Sequence, residues 1–414
     1  MLGPVWACSD DAGQPQGGPS DDAATAPTTG AMKPDVRTPQ VDDPASPNFS
    51  DAPSTPTTRG KDAGAREPAR DPDGGVHDGG AAESTGADSA IPSQAPSHDD
   101  GSCPSELAGW ATVSGDGVST TTGGGNATPV RPTSAAELQK LALDPAPQVI
   151  ELTSSIVIPR LKVGSNKTII GIGPGVTLTG GIALKGDASA QVSNVILRNL
   201  HVDGGTAETE DAVHIEYAHH VWIDHLDIYD GPDGSLDMTH AVNWITVSWT
   251  SVRYTDKYHP AEGESVAAHR FASLLGHSDN NAKEDAGRIK VTFHHNFWGA
   301  GVLERMPRVR FGQVHVYNNY FGSVGNHYCV RAGTGAQLLI ENNYFDGVSS
   351  PHEFNNDDDQ KTAYITARNN IYQNTTGAQL TGGGGTAWSA APYAPKLDAP
   401  ADVPAPVKRC AGPR

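Results

Sequence analysis

Two groups of residues in this chain of 414 could do chemistry by their type and spacing. The first is three carboxylates, Asp211, Asp233 and Asp237, set on either side of the apolar run from Val221 to Ile228. Asp233 and Asp237 bracket Gly234-Ser235-Leu236, so a bend there could aim both at one point. Hard oxygen ligands clustered without cysteine or paired imidazole suit calcium, although a solvated acidic turn would share the same spacing. The second group is Arg305-Met306-Pro307-Arg308-Val309-Arg310. Its proline argues against an ordinary central strand. Strand alternation would send Arg308 and Arg310 to one face, with Arg305 displaced by the proline. Guanidinium groups this close repel unless an anion lies among them, so the run reads either as a carboxylate-binding row for a polyanion or as a solvated basic edge.

Elements that could position both groups recur along the chain. Short β-branched and aromatic frames run over Val195–Leu200, Val221–Leu226, Ile245–Thr250, Val291–Asn296, Val314–Asn319, Leu338–Asn343 and Tyr364–Asn370. Their last residues are separated by 26, 24, 46, 23, 24 and 27 positions. The long step equals two of 23, which predicts a further rung at Phe271 to Leu275. A period in the low twenties, with no helix-length amphipathic segment between frames, predicts an all-β chain folded as a right-handed parallel β-helix, one coil per repeat. The asparagines that close four frames, Asn296, Asn319, Asn343 and Asn370, are expected at the bends, bonding from coil to coil and tolerating a left-handed backbone. A propeller or sandwich would need hairpin turns every ~8–12 residues, and those are absent.

Composition agrees with a turn-rich β fold, since 47 glycines and 31 prolines make up nearly a fifth of the chain. The net charge of -19 excludes a nonspecific grip on nucleic acid or anionic membrane. Residues 1–102 hold 17 acidic and 6 basic residues, 14 of the prolines and two aromatics, Trp6 and Phe49. So little apolar surface predicts a disordered linker over residues 9–102, ahead of a folded domain over 103–414. Val5-Trp6-Ala7-Cys8 has the shape of a bacterial lipobox, which would anchor an exported protein through Cys8. Six residues between Met1 and Cys8 are too few for the charged and apolar regions of a signal peptide, so either the start lies upstream or the match is chance. No segment approaches the ~20 apolar residues of a membrane-spanning helix.

Read in order, Val221-Trp-Ile-Asp-His225, Asp233-Gly-Ser-Leu-Asp237, Gly276-His-Ser-Asp279, Val291-Thr-Phe-His-His-Asn296, Arg305-Met-Pro-Arg-Val-Arg-Phe-Gly312 and His315-Val-Tyr-Asn-Asn319 closely resemble the pectate lyases of polysaccharide lyase family 1. The resemblance extends from about Cys103, through Gly109–Val113 and Thr122–Gly125, to Gly412. It implies calcium ligation by Asp211, Asp233 and Asp237. It also implies a catalytic Arg305 and substrate-binding Lys257 and Arg310. A further acidic ligand in some relatives falls here at Thr209, flanked by Glu208 and Glu210, and Tyr258 to Arg270 reads as an insertion after Lys257.

The implied reaction is calcium-dependent β-elimination of 1,4-linked polygalacturonate, by a secreted or cell-surface enzyme expected to act as a monomer. Arginine is an unusual base, being charged up to a pKa above about 12. Crowding by Arg308, Arg310 and the metal would have to lower Arg305, with an alkaline optimum as the consequence. Glu304 should face away from it, and His225 is the alternative base. Rival readings are a pectin lyase, which acts on methyl-esterified polymer without calcium, and a noncatalytic solenoid that binds acidic polysaccharide. Arg288-Ile289-Lys290 resembles a polygalacturonase motif but lacks its aspartates and reads as a strand opening. The pairs His219-His220 and His294-His295 suggest zinc, yet strand neighbours face opposite ways and should not chelate together. Cys103 and Cys410 bound the resembling segment, so a disulfide between them is conceivable in an exported protein. Cys329 is expected to be a buried thiol, and residues 386–407 an irregular tail around the last coils.

Overall fold

The computed structural model describes residues 103–205, 211–260 and 269–414. The expectations placed on residues 1–102, Cys8 included, and on Glu208, Thr209 and Glu210 lie outside the described residues, as does most of the expected insertion, 261–268.

Each expected frame is a rung. Gln148–Leu152, Lys167–Gly171, Val192–Asp203, Ala218–Tyr229, Asn243–Ser248, Lys290–His294, Gln313–Tyr317, Gln337–Glu341 and Tyr364–Arg368 pair in parallel, one on the next. Val221 stands on Val195, Ile245 on Val221, Val314 on Val291 and Leu338 on Val314, which is the register that the repeat implies. A second parallel sheet carries Val213–Glu216, Leu236–Thr239, Leu274–Leu275, Arg308–Val309, Val330–Ala332 and His352–Phe354. A third begins in the far halves of Val192–Asp203 and Ala218–Tyr229 and continues through Ser251–Arg253, Phe297–Trp298, Tyr320–Phe321, Tyr344–Asp346 and Ile371–Gln373. Inward residues such as Ile215, Met238, Leu275, Val309 and Ala332 are fully buried, so burial of the apolar stack drives the coiling.

The 46-residue step is corrected by this register. Ile245 pairs directly with Val291, so the step is one oversized coil rather than two. Leu274–Leu275 belongs to the second sheet, between Met238 and Val309. The surplus residues precede and follow Leu274–Leu275 in sequence, and residue counting cannot distinguish one long coil from two short ones.

At the bends the asparagine ladder forms as expected. Asn296 Nδ2 donates to Asn319 Oδ1 at 3.0 Å, Asn319 to Asn343 at 3.0 Å and Asn343 to Asn370 at 2.9 Å. The left-handed residue, however, is the preceding one: His295, Asn318, Asn342 and Asn369 have φ of 55°, 53°, 54° and 54°. This frees the ladder residue to bond along the stack while its neighbour makes the turn.

The ends and flank are covered. The helix Ala135–Leu143 starts with Ser134 Oγ accepting from the Glu137 N–H and buries Leu138 and Ala142 against the stack. Cys103 and Cys410 are disulfide-bonded, with Cα atoms 5.4 Å apart, and Cys329 is a buried free thiol. The C-terminal tail does not stay on the last coils. It runs back along the stack, where the Lys396 and Asp398 carbonyls accept from Asn318 and Asn342. Val403 and Val407 then pack with Trp249 and Tyr320, and Arg414 reaches Asn199. Corner amides outside the ladder need acceptors, and the tail supplies them.

Candidate active site

The turns that lead from the third sheet into the second carry the chemistry, with the Leu274–Leu275 coil standing between that of Asp233 and that of Arg305. Asp211 precedes Val213–Glu216, Asp233 precedes Leu236–Thr239, and Arg305 precedes Arg308–Val309. Within the second sheet His214 pairs in register with Asp237, so both side chains point outward from the same face.

Asp211 and Asp237 are brought together. Asp211 accepts from His214 Nδ1 through Oδ2 at 2.7 Å, while its Oδ1 is buried without a hydrogen-bond partner. Asp237 Oδ1 accepts from the Leu274 N–H at 2.9 Å. A Cβ added at Gly234 would stand 2.6 Å from Asp211 Oδ1 and 3.4 Å from Asp237 Oδ1, so glycine keeps open the space that both carboxylates face. Burial, and then the charge of Asp211, push Asp237 well above the usual carboxylate range. Burial raises Asp211 too, against the pull of His214. An orphan oxygen beside a second buried carboxylate is chemistry that a hard cation satisfies.

Asp233 stands apart. Its side chain is 54% exposed, and Oδ1 accepts from His269 Nε2 at 2.8 Å. That bond, opposed by partial burial, holds Asp233 below the ordinary range. Among the described residues no three His, Cys, Asp or Glu side chains converge as a metal site. The sequence trio is thus assembled as a pair plus one aspartate held by a histidine.

His214 and His269 were not foreseen. His214 is legible in retrospect, because Val213 faces inward and its neighbour must face Asp237. Burial opposes charge on His214, but Asp211 and Glu216, the latter 2.9 Å from Nε2, push it up to about 10. His269 closes the expected insertion, and nothing local ties it to Asp233.

Arg305 is left-handed, with φ of 62°, and its guanidinium lies 3.9 Å over the Phe271 ring with Nε unpartnered. Glu304 accepts from His327 at 2.8 Å. The expected lowering of Arg305 by neighbouring cations is not found. Burial does pull it down, but Asp237, Tyr328, Glu304 and Asp233 carry it to a net rise. Arg308 and Arg310 do share one outward face, around buried Val309. Arg310 is turned to the loop after Leu274–Leu275, where Nε donates to Asp279 Oδ1 at 2.6 Å and Nη1 to the Gly276 carbonyl at 3.1 Å.

Lys257 is exposed and lines a cavity of about 410 Å³ with Asp203, Tyr229, Asp230 and Arg253; none of the three aspartates nor Arg305 shares that wall. His225 lies elsewhere, at a cavity lined by Cys103, Arg198 and Asn199, its Nδ1 2.9 Å from Asp224. The reason given against chelation by the histidine pairs is also corrected. His220 and His295 are left-handed, which turns the paired rings toward each other with Nδ1 atoms 2.8 and 2.9 Å apart. Both pairs are nonetheless packed with Trp244, Trp249 and Tyr317. Ile289 is buried and Lys290 opens a strand, as expected for the polygalacturonase-like tripeptide.

Comparison with known proteins agrees with the β-helix fold. Residues 102–394 match the family model described as pectate lyase. A probable pectate lyase A of Aspergillus fumigatus is 37% identical over 231 residues, covering 54% of this chain and 64% of that protein, just under two thirds of its length. Pectate lyase E of Dickeya chrysanthemi is 36% identical over 294 residues, covering 57% and 67%. In fold, the chain superposes on a pectate lyase of Bacillus sp. N165 solved in complex with trigalacturonate, with a TM-score of 0.60, 24% identity, and coverage of 74% of this chain and 99% of that one. With more than half its length matched by the model, the chain belongs to the pectate lyase family.

Proposed function

We propose that this protein is a calcium-dependent pectate lyase that cleaves 1,4-linked polygalacturonate by β-elimination, releasing 4,5-unsaturated oligogalacturonates. The observation that carries the reading is the unpartnered Asp211 Oδ1 facing Asp237 across Gly234, with the electrostatic reach of Arg305 on both. Asp211 and Asp237 would hold the ion, with Asp233 joining on release from His269. Bound calcium would share its charge with a substrate carboxylate and so make the C5 proton beside that carboxylate more acidic.

Arg305 then takes the C5 proton, the electron pair closes the C4=C5 double bond, and the C4–O bond breaks, its oxygen taking a proton from water while the protonated Arg305 returns its own to solvent. A base must be neutral, and the carboxylates that raise Arg305 are those whose charge the ion would share. Phe271 beneath the guanidinium fixes its plane and keeps water from one face. Lys257 would receive a carboxylate from its exposed turn, and Arg310 would do so on exchanging Asp279 for substrate. A shared cation also explains how so acidic a protein holds an acidic polymer. The disulfide supports action outside the cell, and a helix-capped end of the solenoid supports a monomer.

The test is ultraviolet absorbance of the unsaturated product on polygalacturonate, with calcium and with chelator. Signal that survives chelation removes the calcium requirement. Full activity in Arg305→Ala removes the assigned base. Polymer binding without any product leaves a noncatalytic solenoid.

A further inference from the structure

His269 hydrogen-bonds one of the three aspartates, which does not converge with the other two as a metal-ligating group among the described residues. Its Nε2 lies 2.8 Å from Asp233 Oδ1 and 3.0 Å from the Asp233 carbonyl, so one ring nitrogen is fixed against both side chain and backbone. The ring itself packs 4.4 Å from Phe271, the ring on whose face Arg305 lies. The backbone is pinned as well, because the Tyr258 hydroxyl, buried in the core, donates to the His269 carbonyl. The histidine is therefore anchored at the ring by Phe271 and at the main chain by Tyr258, and it presents a hydrogen-bond donor to the most exposed carboxylate of the trio. Asp211 and Asp237, by contrast, face a common space that Gly234 leaves open.

We propose that His269 is a positioning residue that latches Asp233 out of the cation site, so that calcium must displace an imidazole N–H before the third aspartate can bind. The proposal rests on the calcium reading above and deepens it. The unlatched pair supplies a weak first site, and full affinity follows only when Asp233 exchanges His269 for the ion. The latch makes metal loading and local rearrangement a single event, and it weakens calcium binding by the free energy of the bond that must break. A residue that merely supported the fold would act the other way, since its loss would loosen the site and weaken binding.

Calcium binding by isothermal calorimetry, with no substrate present, separates these cases. His269→Ala should bind calcium about tenfold more tightly than the unaltered protein, ~1.4 kcal/mol. His269→Gln, whose amide can still donate to Asp233, should return most of the way to the original affinity. In Asp233→Asn the further change His269→Ala should produce no gain, because the carboxylate being released is gone. Equal or weaker binding in His269→Ala, or a gain that persists in the double variant, overturns the latch while leaving the calcium site standing. Absence of binding in both the unaltered protein and His269→Ala overturns the calcium site itself.

Discussion

Alanine at Gly234 would put a methyl group 2.6 Å from Asp211 Oδ1 and 3.4 Å from Asp237 Oδ1. The first distance is closer than nonbonded atoms tolerate, so the Asp211 carboxylate must swing out of the shared space. Calcium affinity should fall roughly tenfold to a hundredfold, ~1.4–2.8 kcal/mol, with the fold retained because the methyl's three nearest contacts are carboxylate atoms. Calorimetry with unchanged affinity would mean that these two carboxylates are not the site. Arg305→Lys separates charge from shape at the neighbouring position. A lysine keeps the cation but not the planar group that lies on Phe271, so turnover should drop about 10²–10⁴-fold while calcium affinity stays within a few-fold. Comparable turnover in the lysine variant would assign proton removal elsewhere. The aspartates and arginines were legible because their type and clustering are unusual for a solenoid face. The partner of Asp233 was not, since His269 lies 36 residues away and only the fold brings it there, whereas His214, three residues from Asp211, follows from strand alternation.

Coil stacking is also where element-scale stability is decided. Asn343 sits in the middle of the ladder. Its Nδ2 donates to Asn370 Oδ1 at 2.9 Å and to the Val316 carbonyl at 2.8 Å, and its Oδ1 accepts from both the Asn319 N–H and Asn319 Nδ2. Truncation to alanine takes the acceptor from the buried Asn319 N–H and one of several partners from Asn319 Nδ2 and Asn370 Oδ1, at a cost of about 1–3 kcal/mol. Thermal denaturation of Asn343→Ala should show a midpoint several degrees lower with little change in calcium affinity; an unchanged midpoint would make the ladder ornamental. The sequence discloses this device through simple recurrence of an Asn-Asn pair. It assigns the left-handed backbone to the wrong member of the pair, because composition marks both residues as turn formers and only the pairing register separates them. The 46-residue step misled for a related reason: coil length measures chain, whereas rung number is set by which strand finds which.

Across the whole molecule, the disulfide joins chain positions 307 residues apart and fastens a tail that runs back along the coils. Its halves belong to different pieces. Cys103 leads into the segment whose Trp110 N–H donates to Thr292, and Cys410 ends the helix Pro404–Cys410, whose Val407 packs with Trp249 and Tyr320. Cutting the bond leaves the solenoid's own hydrogen bonds intact but frees the unfolded chain from a very large closed loop, worth on the order of 5 kcal/mol in the chain-entropy account and usually less in practice. Cys103→Ser should therefore lower the unfolding midpoint and open the tail to proteolysis between Trp388 and Cys410. Calcium binding at Asp211 and Asp237 should persist, because those carboxylates project from a different sheet and touch neither the tail nor its clasp. Simultaneous loss of calcium affinity and tail protection would mean that the flank and the site are coupled through the coils, and that the tail is part of the catalytic architecture rather than a cover for the corner amides.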